Sequence, residues 1–231
     1  MKKLCIIPAR GGSKRLSGKN VKLLAGKPLI FHTVDECLGL FDKIIITSDS
    51  ENILETVKNE YSDYSHSNNT LLQIDKRPEQ LASDTSKVID TVSHYADQND
   101  DFDQIWLCLP TCPLRTRDDI KKAQDLLTKE LDGVISITEY SFPPSLGLLK
   151  GSRGNIVPYD SSDPWRTGNS RSQDHPTVWR PNGAIYGMWF DHFKKNRNFY
   201  KGEIKGYEMS AEKSVDIDTE TDFKIAQALC K

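Results

Sequence analysis

The sequence predicts an α/β fold, a doubly wound and mainly parallel sheet, and three features of the chain lead there. Short apolar runs recur along it, stretches of helical periodicity separate them, and the runs are continuous rather than alternating. Continuous apolar character suits strands covered on both faces, as in a parallel sheet. The expected strands are residues 4–8, 43–47, 105–109, 133–137 and 184–188. Between them, residues 28–40, 50–59, 86–98 and 117–130 read as helices, and 221–229 as a last one. Ser50 and Glu51 supply a polar, negative start where a helix dipole favours it, and Asp118 and Asp119 do the same for the fourth helix. Strand, helix, strand in repetition implies right-handed crossovers.

Residues 150–176 break this rhythm, being rich in Gly, Ser, Asp, Asn, Pro and Arg. Their charges alternate, and Pro164-Trp165 with the nearby Trp179 offer contact area without a home core. They therefore read as a projecting arm rather than a solvated linker. Residues 1–231 form one domain with the arm inside it, a size able to bury one substantial core.

Bulk properties narrow the function. Hydrophobic residues at 37% and charged residues at 28% suit a globular protein. A net charge of −2 lacks the basic excess of a nucleic-acid-coating surface, and no apolar run approaches the length of a membrane span, so neither nucleic acid nor membrane is expected as a partner. Residues 2–8 are too short an apolar stretch for a signal peptide and run into Arg10, Lys14 and Arg15. Five scattered cysteines suggest a reduced, cytoplasmic protein. Cys108 and Cys112 read as small buried side chains, since no further thiolate or imidazole ligand stands near them in the chain.

Chemistry concentrates in three places. The segment Pro8-Ala9-Arg10-Gly11-Gly12-Ser13-Lys14-Arg15-Leu16-Ser17-Gly18-Lys19-Asn20 follows the first strand, at the sheet edge where such folds bind ligands. Gly11 and Gly12 allow close backbone approach to phosphate oxygens, and Arg10, Lys14, Arg15 and Lys19 supply the charge a triphosphate requires. The spacing is neither that of a P-loop nor of a dinucleotide fingerprint. Near the other terminus, Asp216 and Asp218 flank Ile217, and on an extended segment they share a face. Two carboxylates so placed repel unless a cation lies between them, and magnesium fits. The turn Arg180-Pro181-Asn182-Gly183 presents Arg180 and Asn182 just before a strand.

With Arg77-Pro78-Glu79-Gln80-Leu81-Ala82-Ser83-Asp84-Thr85 and Leu109-Pro110-Thr111-Cys112-Pro113-Leu114-Arg115, five blocks stand in one order over nearly the full length. The chain resembles the N-acylneuraminate cytidylyltransferase (CMP-sialic acid synthetase) family. The resemblance implies a sheet of the nucleotide-diphospho-sugar transferase type, a homodimer, CTP as donor and magnesium as cofactor. It also implies that Arg10, Ser13, Lys14 and Lys19 hold the triphosphate. Asn20 with Ala82, Ser83, Asp84 and Thr85 would lie on the ribose and cytosine, and Arg77 would support that loop. Asp216 and Asp218 match the family's metal ligands, and Arg10 and Lys19 join them as the catalytic set. Leu109, Thr111, Arg180 and Asn182 match the sugar side. Arg171 matches an arm arginine that helps bind the sugar's acid group across the dimer.

The reaction implied is CTP plus a nine-carbon sugar acid giving a CMP-sugar and pyrophosphate, with no histidine or glutamate standing out as general base. The sugar side departs from the pattern: Leu109 replaces a usual glutamine, Cys112 a serine, and Leu146 a lysine. Changed polar groups discriminate between substrates sharply. The expected substrate is therefore a legionaminic- or pseudaminic-type acid rather than ordinary sialic acid. The rival readings are a synthetase for an eight-carbon KDO-type acid and a non-catalytic nucleotide-sensing module on the same fold.

Overall fold

The computed structural model describes residues 1–13, 15–62, 70–83, 85–159 and 167–230, so the expectations for Lys14, Asp84 and Pro164-Trp165 lie outside the described residues. The strands are β1 (Lys3–Pro8), β2 (Leu23–Leu24), β3 (Lys27–Pro28), β4 (Lys43–Ser48), β5 (Leu71–Lys76), β6 (Gln104–Leu107), β7 (Gly133–Glu139), β8 (Leu148–Lys150), β9 (Ile156–Pro158), β10 (Trp179–Trp189) and β11 (Ile204–Glu208). The helices are α1 (Leu29–Cys37), α2 (Glu51–Tyr61), α3 (Val88–Asp97), α4 (Arg117–Leu126), α5 (Phe190–Asn196) and α6 (Glu220–Leu229).

A seven-stranded sheet of order β11-β7-β10-β6-β1-β4-β5 forms the centre. β1 pairs in parallel with β4 and β6, β4 with β5, and β7 with β11, while β10 runs antiparallel between β6 and β7. The sheet is thus mainly parallel, as the apolar runs imply. Its two faces explain why those runs do not alternate. Cys5, Ile7, Ile44, Ile46 and Trp106 pack on one side with Val34 of α1, Val57 of α2 and Ala123 of α4. Leu4, Ile6, Ile45 and Ile105 pack on the other with Tyr95 of α3 and Phe193 of α5. Each fully buried side chain of this kind contributes about 1.5–3 kcal/mol.

A third, smaller cluster positions the site. Leu16 from the loop after β1 packs with Leu24, Leu29, Ile217 and Phe223, so the two ends of the chain are sewn together by apolar burial. Ile217 is fully buried. With Ile217 held in the core, the flanking Asp216 and Asp218 are left at the surface of the cluster.

Several boundaries differ from the sequence reading. α4 stops at Leu126, not at residue 130, because Leu127 leaves the helical region. The strand expected at 184–188 is the end of the longer β10, whose register shifts between Pro181 and Tyr186. The Asp216–Asp218 segment is irregular chain between a 3-10 turn at Glu212–Ser214 and α6, not a strand. β5 and β11 were not foreseen, and the arm begins inside a β8–β9 hairpin instead of being irregular from residue 150. Among the described residues, no helix is long and apolar enough to cross a membrane.

Candidate active site

The loop after β1 is shaped by what it rests on. A side chain at Gly11 would bring a Cβ within 2.7 Å of Ser50 Cβ, so only glycine lets the loop lie on the start of α2. The Gly11 amide donates to Asp49 Oδ1 at 2.9 Å, and the Ser13 amide donates to the Gly11 carbonyl at 2.9 Å. Gly18, with φ of +63°, then turns the chain into a 3-10 turn at Lys19–Val21 that buries Lys19 and Asn20.

Lys19 is where the two chain ends meet. Its Nζ donates to the Ile217 carbonyl at 2.7 Å and to Asp218 Oδ1 at 3.0 Å. Arg15 donates to the second oxygen of the same carboxylate, Asp218 Oδ2. Asn20 Nδ2 donates to the Arg10 carbonyl at 2.9 Å, whereas Asn20 Oδ1 is buried without a hydrogen-bond partner.

Asp218 also sits at the entry to α6, where Asp222 caps the helix. Asp222 Oδ2 accepts from the Asp218 amide at 3.1 Å and the Thr219 amide at 2.7 Å, in a capping box with Thr219. Asp216 is exposed as a residue, although its carboxyl group is crowded by Thr111, Cys112 and Asp218. Burial raises its pKa above the ordinary 3.8; a hydrogen bond from Thr111 opposes, the Asp218 charge adds to the rise, and Lys19 opposes.

Two cavities adjoin along this edge and share Pro8 and Arg10. The first, about 160 Å³, is lined by Arg10, Ser13, Arg15, Lys19, Asn20, Thr111 and Asp218. The second, about 230 Å³, is lined by Arg10, Arg77, Ala82, Ser83, Lys87 and Leu109. Thr85 is exposed, with its hydroxyl 3.2 Å from that of Ser83. Arg77 is buried; it donates to the Thr47 carbonyl at 2.9 Å, and its Nε has no partner. Burial lowers its pKa, and Asp49 works against that shift.

The loop joining the cavities is clamped from below. Arg115, only 1% exposed, donates from Nη1 to the Leu109 and Cys112 carbonyls at 3.0 and 2.8 Å and from Nη2 to Thr33 Oγ1 and the Leu109 carbonyl at 2.6 and 2.8 Å. The Thr111 carbonyl in this loop accepts from the Ile217 amide at 2.7 Å, which ties the loop to the aspartate segment.

The sugar-side expectations divide. Leu109 and Thr111 line the cavities, but Asn182, Arg180 and Arg171 do not. Asn182 is 1% exposed and all its capacity is used inside. Oδ1 accepts from Ser136 Oγ at 2.6 Å and the Ala184 amide at 3.1 Å, and Nδ2 donates to Ser214 Oγ at 2.9 Å and Met209 Sδ at 3.3 Å. It positions the chain before Asp216 and presents no free group to a ligand. Gly183 (φ +82°) completes that turn, since a Cβ there would stand 3.1 Å from Cys112 Sγ. Burial pushes the Cys112 thiol up to about 12, with the Asp216 charge second, so it stays protonated and donates to the Asn182 carbonyl at 3.0 Å. Arg180 is half-buried on β10, and Arg171 is exposed on the arm, 3.9 Å from Asp174. A wider cavity of about 480 Å³ opens beside Tyr140 and Trp179, with Met209 in its wall.

Sequence reasoning counts Arg15 among the loop cations but not its pairing with Asp218, 203 positions away, and gives no role to Asp222 or Arg115. It also passed over the anchor that Lys213 provides. Lys213 Nζ lies 2.9 Å from Asp119 Oδ2, fixing the turn that precedes Asp216.

The sequence profile of the cytidylyltransferase family matches residues 4–138, so the aspartate pair lies beyond the matched part. The chain is 32% identical over 228 residues to an N-acylneuraminate cytidylyltransferase of Streptococcus agalactiae, covering 96% of this chain and 52% of that protein. It thus spans about half the length of that relative. It is 33% identical over 236 residues to a CMP-N,N'-diacetyllegionaminic acid synthase of Legionella pneumophila, covering 99% of this chain and 96% of that one. A solved CMP:2-keto-3-deoxy-manno-octonic acid synthetase complexed with CTP superposes with a TM-score of 0.66 at 17% identity, over 99% of this chain and 98% of that one, a likeness of fold.

Proposed function

The chain belongs to the cytidylyltransferase family, and from that membership we propose that it is an enzyme joining CTP to a nine-carbon sugar acid, with release of pyrophosphate. One observation carries the reading: the cationic loop after β1 and Asp218 before α6 wall a single cavity, joined by Lys19, with Asp216 two residues away in the chain and outside the cavity lining. A binding-only module has no need of carboxylates set opposite phosphate-seeking cations.

The nucleotide fits the paired cavities. Arg10, Ser13 and Lys19 would hold the triphosphate in the first cavity, with Lys14 beside them in the chain. The second would take the base against Ala82 and Ser83, followed in the chain by Asp84 and Thr85, with Arg77 beneath. The unpartnered Asn20 Oδ1 is an acceptor suited to a ribose hydroxyl.

In the reaction, a hydroxyl oxygen of the sugar acid bonds to the α-phosphorus. The bond from that phosphorus to the bridging oxygen breaks, and the electron pair leaves with pyrophosphate. The chain's own work is positioning and charge stabilisation: Arg10 and Lys19 offset negative charge on the attacked and departing groups. Two features fit a hard divalent cation at Asp216 and Asp218. Their donors are carboxylate oxygens, and Asp216 is held in a setting whose cost a nearby cation would relieve. Magnesium bound there would polarise the triphosphate and ease loss of the hydroxyl proton.

On the sugar side, Leu109 lines the base cavity and Cys112 spends its thiol on the Asn182 carbonyl, so neither offers the polar group the family pattern leads one to expect. This supports a legionaminic- or pseudaminic-type substrate, the first being the kind the Legionella relative is named for. The exposed Phe142, Leu148, Leu149, Ile156, Val157 and Tyr159 on and around the hairpin support a homodimer, in which Arg171 would reach the partner's sugar pocket. The five thiols accord with a cytoplasmic setting.

The test is pyrophosphate release from CTP and magnesium with N-acetylneuraminic, legionaminic, pseudaminic and KDO acids offered separately. Fastest release with legionaminic or pseudaminic acid is expected. Best activity with N-acetylneuraminate would overturn the substrate argument, KDO alone would favour the eight-carbon rival, and no release with any acid would favour a sensing module. Light scattering on the purified chain checks the dimer.

A further inference from the structure

Cys5 in β1, Cys37 at the end of α1 and Cys108 just after β6 are far apart in the chain, yet their three sulfurs lie within 4.8 Å of one another. All three side chains are fully buried. Reading Cys108 from its neighbours in the chain misses this, because its partners arrive through sheet and helix packing; Cys112 is engaged elsewhere. Ligand sulfurs around a d10 metal at bond lengths of about 2.3 Å stand ~3.8–4.0 Å apart, so the cluster needs only a small contraction to become a three-sulfur shell.

A second feature points to the same place. Arg115 is buried beside the cluster, its charge acts on both Cys37 and Cys108, and its Nε has no hydrogen-bond partner. Among the described residues no carboxylate pairs with it, which leaves a buried positive charge without a counter-charge. We propose that Cys5, Cys37 and Cys108 form a binding site for one thiophilic divalent d10 ion of the zinc class, with Arg115 as its counter-charge.

The balance closes without a redox step. Three S–H bonds break, three protons leave to solvent, and three metal–sulfur bonds form. The resulting ion with three thiolates carries one negative charge, which the guanidinium neutralises; a monovalent ion would leave an excess negative charge in the core. Because the sulfurs are closed to solvent, the ion would enter during folding or a transient opening. Once bound, it would fasten β1, α1 and β6, the elements that carry the loops lining both cavities.

The test uses the full chain, reduced and metal-free, loaded with Cd²⁺ or Zn²⁺ in two ways: incubation of the native protein, and refolding with the ion present. Loosely held metal is removed by gel filtration in citrate. Retention of about one ion per chain is expected, with a sulfur-only first shell by X-ray absorption and a thiolate-to-cadmium charge-transfer band. Cys112→Ser and Cys230→Ser should retain the ion, and Cys37→Ser should lose it. Absence of retained metal in the wild type after both loadings overturns the proposal, as does an oxygen-dominated shell or undiminished retention in Cys37→Ser. The X-ray absorption result on the wild type decides the matter should Cys37→Ser fail to fold.

Discussion

Lys19 and Asp218 stand 199 positions apart in the chain, yet Lys19 Nζ lies 3.0 Å from Asp218 Oδ1. The lysine side chain is 9% exposed and the carboxylate 36%, so the pair sits at the cleft wall, with its cation on the inner side. Burying Lys19 there makes sense if its charge is needed where a triphosphate binds. Lys19→Met should therefore lower kcat/KM for pyrophosphate release by about 10²–10³-fold, the scale of losing one preorganised charge donor. Steady-state kinetics at saturating magnesium check this.

Asp216 trades stability for function in this account. Burial raises its folded-state pKa above the ordinary 3.8, so its ionisation opposes folding. The stabilising contribution of its neutral form is present below the unfolded-state value and is lost as pH rises through the raised folded value. Asp216→Asn should then melt at a higher temperature than the metal-free wild type at neutral pH, with the gap closing on acidification through the carboxylate range. The same variant should lose pyrophosphate release. Calorimetric scans across pH, beside activity at pH 7, test both halves.

Arg115 supports the loop that carries Leu109 and Thr111. Lysine cannot reproduce its fork, so Arg115→Lys leaves one or more buried carbonyls unsatisfied, at about 1–3 kcal/mol each. The melting temperature should fall by roughly 2–4 °C for each kcal/mol. The KM for CTP should rise too, because the loop lines both cavities. Thermal melts and CTP titration of this variant make the check, and an unchanged melting point would contradict the clamp.

Asp119 anchors the turn that precedes Asp216. Burial pushes its pKa up, but hydrogen bonds from Lys213, Thr116 and Tyr207 outweigh this and hold it below 3.8. A carboxylate so depressed stabilises the fold above the unfolded-state value and ceases to as pH falls through the folded one. Asp119→Ala should cost about 1–3 kcal/mol at neutral pH, since it unpairs the half-exposed Lys213 and breaks the capping box that Asp119 completes with Thr116. Denaturant unfolding of variant and wild type at pH 7 and pH 3 should show the difference narrowing at the lower value.

The legible parts of the fold were those where burial is symmetric. Residues 4–8 and 43–47 read as strands because both faces of β1 and β4 are covered. β5 and β11 close the two edges of the sheet, where one side of the ladder is open, and Leu71-Leu72-Gln73-Ile74-Asp75-Lys76 carries no continuous apolar run. The sequence predicts only the end of β10 because Pro181 and Gly183 speak for a turn, which the register shift accommodates inside a strand. In the site, Arg10, Ser13, Lys19, Asn20 and Asp218 were recognisable from charge and order, and they share a cavity. Asn182 was not, because its partners Ser136, Met209 and Ser214 lie 46, 27 and 32 residues away, and only packing shows that its amide is already spent.

The most direct measurement is a double-mutant cycle on CTP binding with magnesium, by calorimetry, using Lys19→Met, Asp218→Asn and the pair together. If loop and aspartates act on one bound triphosphate, the two losses should be non-additive by about 0.5–3 kcal/mol, as for groups in one charge network. Losses that add to within about 0.3–0.5 kcal/mol would mean the two residues serve separate sites, and the shared cleft would lose its meaning.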